Sequence, residues 1–317
     1  MPARPRTLPE PPPTFPPFPD WARLPAAREG IADAAFCAGA ALAAIHPVAQ
    51  GGHPLGSLWR QRLALSCAEA TVRRQGRRED AAALRDHLHF AGAEGDPGPA
   101  GRMLVAWREL ARPSSLGPAS LLADWPLKLA GLLDGPIDRA AEQAIAAAPG
   151  FAAGRSSATD AAAGALAASL KLRPDNRPLA LWLADAVLAR RLRWPAPVPL
   201  LAAHLQAEDW RLALRPDAGD EAWRTACRIG YARAAAAAFD LYADLARRAG
   251  RLLAVAPKLR GKDADATVLA LLSEDAHAAR AGRLTSERSS RRLFDRLVEL
   301  GVVRELTGRP TFRLYGL

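Results

Sequence analysis

Between about Arg28 and residue 250 the chain repeats one pattern: apolar positions at helical spacing, then a short break at glycine or proline. In residues 55–75, Leu58, Leu63, Leu65 and Val72 recur at broadly helical intervals until Gly76 stops the run. The same reading predicts helices over 28–46, 55–75, 78–90, 100–111, 119–133, 136–148, 158–171, 178–192, 198–213 and 219–249. Residues 28–46 are rich in small side chains (Ala34, Ala35, Gly39, Ala40, Ala43), which lets neighbouring helices come close. No strand-like alternation stands out before residue 300, and no repeat of fixed period suggests a solenoid. Residues 1–20 hold too many prolines for helix or sheet and are expected to form a disordered, extended tail.

The last 55 residues change type. A helical stretch over 264–281 is expected to break near Ser273, and Gly282 interrupts it. Thr285 or Ser286 can cap the next helix, which runs to Leu300 and stops at Gly301. Two β-type runs follow, 302–307 and 311–315, joined through Gly308, Arg309 and Pro310. In the second, Phe312 and Leu314 alternate with Thr311, Arg313 and Tyr315. Helix, capped helix and hairpin in that order predict a winged helix-turn-helix. The expected fold is therefore mainly α: a tail over 1–20, a multi-helix domain over 28–250, and a small winged helix-turn-helix over 262–317.

Composition sharpens this picture in one respect. The 317 residues are half hydrophobic, enough for a packed core, and carry a net charge of +10. Only Lys128, Lys171, Lys258 and Lys262 among 43 basic residues are lysine, and the surplus of Arg, Ala and Pro matches a GC-rich coding bias. The location of the charge says more than the choice of arginine. Residues 247–262 hold six bases (Arg247, Arg248, Arg251, Lys258, Arg260, Lys262) and no acid. Residues 263–317 hold nine bases and eight acids, so the C-terminal end carries +7 of the +10. A basic balance gathered at one end suggests a polyanionic partner there.

On the capped helix, Leu293, Leu297 and Leu300 share one face with Phe294 and Val298 beside them. The opposite face presents Arg288, Arg292, Asp295 and Glu299, flanked by Arg291 and Arg296. Cations gathered at a helix N-terminus oppose the helix dipole, and an anion meeting them would explain the arrangement.

Candidates for other chemistry are thin. His87 and His89 stand two apart, which puts them on opposite sides of a helix and prevents chelation from one face. His46, His53, His204 and His277 have no ligand-type neighbour at helical spacing. Cys37, Cys67 and Cys227 are odd in number and far apart, so neither a disulfide framework nor a CxxC metal site is expected, and the cytoplasm is the expected compartment. There is no Walker A, GxGxxG or GxSxG pattern with the right context, and no cofactor, metal or catalytic residue is expected. Residues 73–86 crowd Arg73, Arg74, Arg77, Arg78, Arg85, Glu79, Asp80 and Asp86 together, either as a phosphate site or as mutual ion pairs around a helix break. Trp182, Trp194, Trp210 and Trp223 fit core packing or an aromatic pocket. No window is apolar enough to cross a membrane.

The runs AFCAGAALAAIH (35–46), residues 59–83, GDPGPAGRMLVAWREL (95–110), LWLADAVLARRLRWPAPVPLLAAHL (181–205) and RRLFDRLVELGVVRELTGRPTFRLYGL (291–317) resemble the DUF1403 family over nearly the whole chain after the tail. The last run is also similar to the helix-turn-helix end of a second bacterial family, DUF1612. Neither resemblance implies an activity, a cofactor or a catalytic residue.

The function expected from the residues is binding of double-stranded DNA by a regulator or accessory factor that is not an enzyme. Thr285, Ser286, Arg288, Ser289, Arg291, Arg292 and Arg296 on the helix, with Arg309 and Arg313 on the wing, would supply mainly phosphate contacts. The helical domain would form a homodimer or hold a protein partner. The alternative is a helical protein–protein interaction module whose winged helix is structural.

Overall fold

The chain is mainly helical, with one small antiparallel sheet. The structure is a computed structural model that describes residues 8–25, 33–92, 95–112, 138–213, 221–259, 263–279, 286–308 and 312–317. Its helices are α1 (Ala34–Ala49), α2 (Gly56–Arg74), α3 (Ala81–Ala91), α4 (Gly98–Ala111), α5 (Arg139–Ala153), α6 (Ala158–Leu172), α7 (Arg177–Arg191), α8 (Asp209–Ala213), α9 (Glu221–Val255), α10 (Ala264–Ser273) and α11 (Glu287–Glu299). The strands are β1 (His277–Ala278), β2 (Arg304–Glu305) and β3 (Leu314–Gly316). The helix predicted over 119–133 lies outside the described residues.

Contacts divide the chain into two compact units. One is helical and comprises residues 18–51 and 63–240; the other gathers residues 1–17, 52–62 and 241–317. The latter draws on three separated segments, whereas the sequence suggests one continuous C-terminal domain from 262.

The helical unit is built on α7. Every residue from Pro178 to Ala189 is buried, and all but Asp185 of these are apolar, the arginines standing at the ends. α5 and α6 pack against α7, and small residues set their spacing. A Cβ on Gly164 of α6 would stand 2.9 Å from the Phe151 ring of α5. Trp182, Trp194, Trp210 and Trp223 are all buried, Trp223 donating its indole N–H to the Ala163 carbonyl at 3.0 Å. The aromatic-pocket reading of these four gives way to core packing.

The helix predicted over 198–213 does not form. After α7 the chain runs through Pro195, Pro197 and Pro199 to a single 3-10 turn (Leu201–Ala203) and then to the short α8. Side chains replace the missing helical hydrogen bonds. Asp185 of α7 accepts from the Leu200 N–H at 2.9 Å and the Leu201 N–H at 3.4 Å. Arg74 of α2 donates to the Ala202 and Leu205 carbonyls at the other end. Pro199, the one proline in 198–213, is tolerable in a first helical turn; here Asp185 and Arg74 take up main-chain groups of residues 200–205, and the apolar side chains are buried in an irregular segment instead.

Helix ends follow local chemistry. Asp80, Asp138, Ser157, Asn176 and Ser286 cap α3, α5, α6, α7 and α11, each side chain accepting a backbone N–H of the first turn. α2, α7 and α11 end in the same reverse-turn motif. The pairs are Arg77 N–H to Val72 O (3.1 Å), Trp194 N–H to Ala189 O (2.9 Å) and Val302 N–H to Leu297 O (3.1 Å). The left-handed residue in each is Gly76 (φ 80°), Arg193 (φ 57°) and Gly301 (φ 65°).

Residues 8–19 form no helix or strand, as their prolines require, and two of their aromatic rings have partners. In the unit that holds residues 1–17, Phe15 packs on Tyr242 with ring centroids 5.2 Å apart. In the helical unit, Phe18 is buried against Phe239 at 5.7 Å.

Candidate functional site

The residues singled out by their charge pattern belong to α11 and the sheet beside it. The sheet order is β1-β3-β2, all antiparallel: His277 pairs with Tyr315, Ala278 with Leu314, Arg304 with Gly316 and Glu305 with Tyr315. Strand β1 corrects the expectation that no strand precedes residue 300. A two-residue strand is too short to show alternation, and it forms because β3 offers an open edge. It also falls between α10 and α11, so a strand stands between two helices that a tight helix-turn-helix joins by three or four residues.

One side of α11 anchors it. Phe294 and Leu297 are buried, and the Phe294 ring stacks on Tyr315 of β3 at 4.6 Å and 17°. The apolar face is narrower than the wheel suggests: Val298 and Leu300 are 39% and 38% exposed. The alternation expected in the second β run is likewise corrected. Leu314, Tyr315 and Gly316 are all buried, while Phe312, at φ 66°, is 49% exposed.

The other side of α11 faces solvent. Ser286 is the N-cap and accepts the Ser289 N–H at 3.3 Å. Arg288, Arg291, Arg292 and Arg296 are all exposed. Arg291 pairs with Glu287 at 2.5 Å and Arg296 with Glu299 at 3.1 Å, both along the helix surface. Glu287 thus places one acid in the first turn, which partly offsets the charge order read from the sequence. Arg288 and Arg292 lie one turn apart and have no ion pair or hydrogen bond from their guanidinium groups among the described residues. Arg313 lies beside β3 at 3.7 Å from Glu305. Thr285, Arg309, Arg260 and Lys262 lie outside the described residues. In the basic run before α10, Arg247 and Arg248 both pair with Asp244, while Arg251 and Lys258 are exposed.

What holds this surface in place is a set of residues that the charge pattern does not reveal. Asp275, fully buried just before β1, faces Arg62 of α2 at 2.6 Å. Arg62 also donates to the main-chain oxygen of Leu317 at 2.8 Å, and Gln61 donates to the Ser273 carbonyl at 3.0 Å while accepting the Asp275 N–H at 3.2 Å. Gly316 lies against this cluster so closely that a Cβ would stand 2.6 Å from the Asp275 carbonyl oxygen. A signal did exist: Arg62 falls on the apolar stripe of Leu58, Leu65 and Val72, an odd place for an arginine unless it has a buried partner.

Burial pushes the Cys67 and Cys227 thiols up, so both stay protonated. His46 receives the Trp194 indole N–H on Nδ1 at 3.0 Å and meets the Gln50 amide at 3.0 Å through Nε2. Among the described residues no three His, Cys, Asp or Glu side chains gather at metal-binding distance, and no helix is long and apolar enough to cross a membrane. A search of curated proteins finds no match to the chain. Residues 10–317 match the family model described as a protein of unknown function (DUF1403), and the chain belongs to that family.

Proposed function

We propose that this protein is a cytoplasmic DNA-binding regulator or accessory factor whose C-terminal unit acts as a variant winged helix, α11 meeting the duplex and the β2–β3 connection serving as the wing. The observation that carries this reading is the pair Arg288 and Arg292, exposed one turn apart with no carboxylate partner among the described residues. They stand on a helix whose opposite side is fixed by Phe294 and Leu297. The surface pairs of Arg291 and Arg296 are weak and exchangeable for phosphate contacts. Most of these contacts position the protein rather than read bases. The helical unit would supply a homodimer contact or hold a partner.

Fluorescence anisotropy of a random-sequence duplex, titrated at two salt concentrations, tests the proposal. Wild-type affinity is expected to fall steeply with salt, and Arg288→Ala/Arg292→Ala to lower the log–log salt slope by about 2. Equal, salt-independent curves for both proteins would overturn it. The second reading, a protein-interaction module, is favoured by one observation: Val298, Leu300 and Phe312 leave large apolar surface exposed in this same unit.

A further inference from the structure

The helical unit holds a second basic site, unrelated to α11. Between the end of α2 and the start of α7 lies a cleft of about 200 Å³ whose lining includes Thr71, Arg74, Gln75, Asp175 and Arg177. The crowd of charges over 73–86 does not act as one cluster. Asp80 caps α3, Arg73 pairs with Glu69 and Arg77 with Glu79, and Arg74 alone of that group lines this cleft.

Three groups there have unused donors. Arg74 gives Nη1 hydrogens to the Ala70 and Ala202 carbonyls and one Nη2 hydrogen to Leu205 O. Its Nε–H and second Nη2–H, one edge of the planar guanidinium, have no acceptor among the described residues. Arg177 lies over the buried Trp210 ring at 5.2 Å, and its guanidinium has no acceptor among the described residues. The Gln75 amide is likewise unpartnered among them. The one acid in the lining is already compensated, since Arg173 grips Asp175 through Nε and Nη2, both at 3.0 Å. The cleft therefore presents two guanidinium groups held in place by other contacts, with the buried Asp209 as a nearby acid acting on Arg74. Burial holds Arg74 below the ordinary arginine range; the cations Arg177 and Arg73 push it the same way, while Cys67 and the Asp209 carboxylate oppose them.

We infer that this cleft binds the phosphate group of a small molecule, with Arg74 offering a fixed two-point fork, Arg177 a second cation and Gln75 an amide N–H. A phosphate dianion has enough oxygens to accept from all three groups, whereas a carboxylate offers only two. The Arg74 fork is preorganised because its other edge is tied to the 3-10 turn, so little ordering is lost on binding.

Isothermal titration of the full chain with inorganic phosphate, glycerol phosphate and acetate tests the site. Saturable one-site binding of phosphate is expected, at least about tenfold tighter than acetate. Gln75→Glu, at an exposed position, and Arg177→Ala should each weaken phosphate by about tenfold or more. Tighter binding of glycerol phosphate than of inorganic phosphate would identify a phosphate ester as the natural occupant; equal binding would identify free phosphate. Should Arg177→Ala lower the melting temperature by loss of its stack on Trp210, Gln75→Glu alone decides. No saturation at about 10 mM phosphate, acetate binding as tightly as phosphate, or unchanged affinity in Gln75→Glu would overturn the proposal.

Discussion

Tyr242 and His53 fix each other's protons. The Tyr242 hydroxyl lies 2.7 Å from the Pro13 carbonyl oxygen, which can only accept, so the hydroxyl hydrogen points there. The His53 Nε2, 2.9 Å from the same hydroxyl oxygen, must then be the protonated nitrogen, and Nδ1 is free to accept the Leu55 N–H at 3.2 Å. Both ring nitrogens are thus matched only in the neutral form, and burial pushes the His53 pKa below the usual histidine value. A folded pKa below the unfolded one gives stability that is present above about pH 6.5 and lost as pH falls through the folded value. His53→Gln should cost about 1 kcal/mol at pH 7.5, and the gap to wild type should narrow by pH 5 in denaturant melts. A gap independent of pH would show that this tautomer is not held.

Asp185 responds to pH in the opposite sense. It is fully buried in α7, accepts the Leu200 and Leu201 N–H groups and the Tyr231 hydroxyl at 3.2 Å, and burial pushes its carboxyl up to about 7. Because the folded pKa lies above the unfolded one, its favourable contribution is complete below about pH 4 and is lost as pH rises to 7. Asp185→Asn keeps the acceptor for the turn without a charge. Between pH 4 and pH 8 wild type should lose up to about 4 kcal/mol relative to this variant, measured by chemical denaturation across that range.

The three reverse-turn helix ends make a matched set. Arg193 adopts the left-handed conformation that Gly76 and Gly301 supply at no steric cost. Arg193→Gly should raise stability by about 0.5–1 kcal/mol, and Gly301→Ala should lower it by about 1 kcal/mol. Nothing lies within 4 Å of a Cβ built on Gly301, so the loss reports backbone conformation alone. Thermal melts of both variants read the two signs directly.

The buried pair Arg62–Asp275 makes a sharper prediction. Arg62→Ala removes the guanidinium that faces the buried Asp275 carboxylate and should cost about 3 kcal/mol. Arg62→Met/Asp275→Leu removes both charges and should recover most of that loss. Gly316→Ala should also destabilise, since a Cβ there meets main-chain oxygen at 2.6 Å rather than a side chain that could swing away. A double variant no better than Arg62→Ala would show that the pair matters for more than compensating charge.

The sequence yields most of the helices here because each is bounded by chemistry of its own. Gly76 and Gly301 close α2 and α11, and Ser286 opens α11. It fails where distant side chains do what local hydrogen bonds do elsewhere. The 3-10 turn depends on Asp185 and Arg74, and β1 exists only as a partner of β3. The exposed arginines of α11 are legible from the wheel, whereas the buried salt bridge that fixes their platform pairs residues with no local relation. Arg74 and Arg177 come together from opposite ends of two helices, so their cleft has no linear motif to find.

Because Arg62 Nη2 reaches partners 213 and 255 residues further along, the unit that holds α11 cannot assemble from neighbouring segments. Its strands, too short to persist alone, wait on a long loop closure, which places this unit late and slow in folding. Until that closure Asp275 stays hydrated, so a fragment cut at the charge transition near residue 262 carries the arginines and the β3 platform without the α2 residues that anchor them.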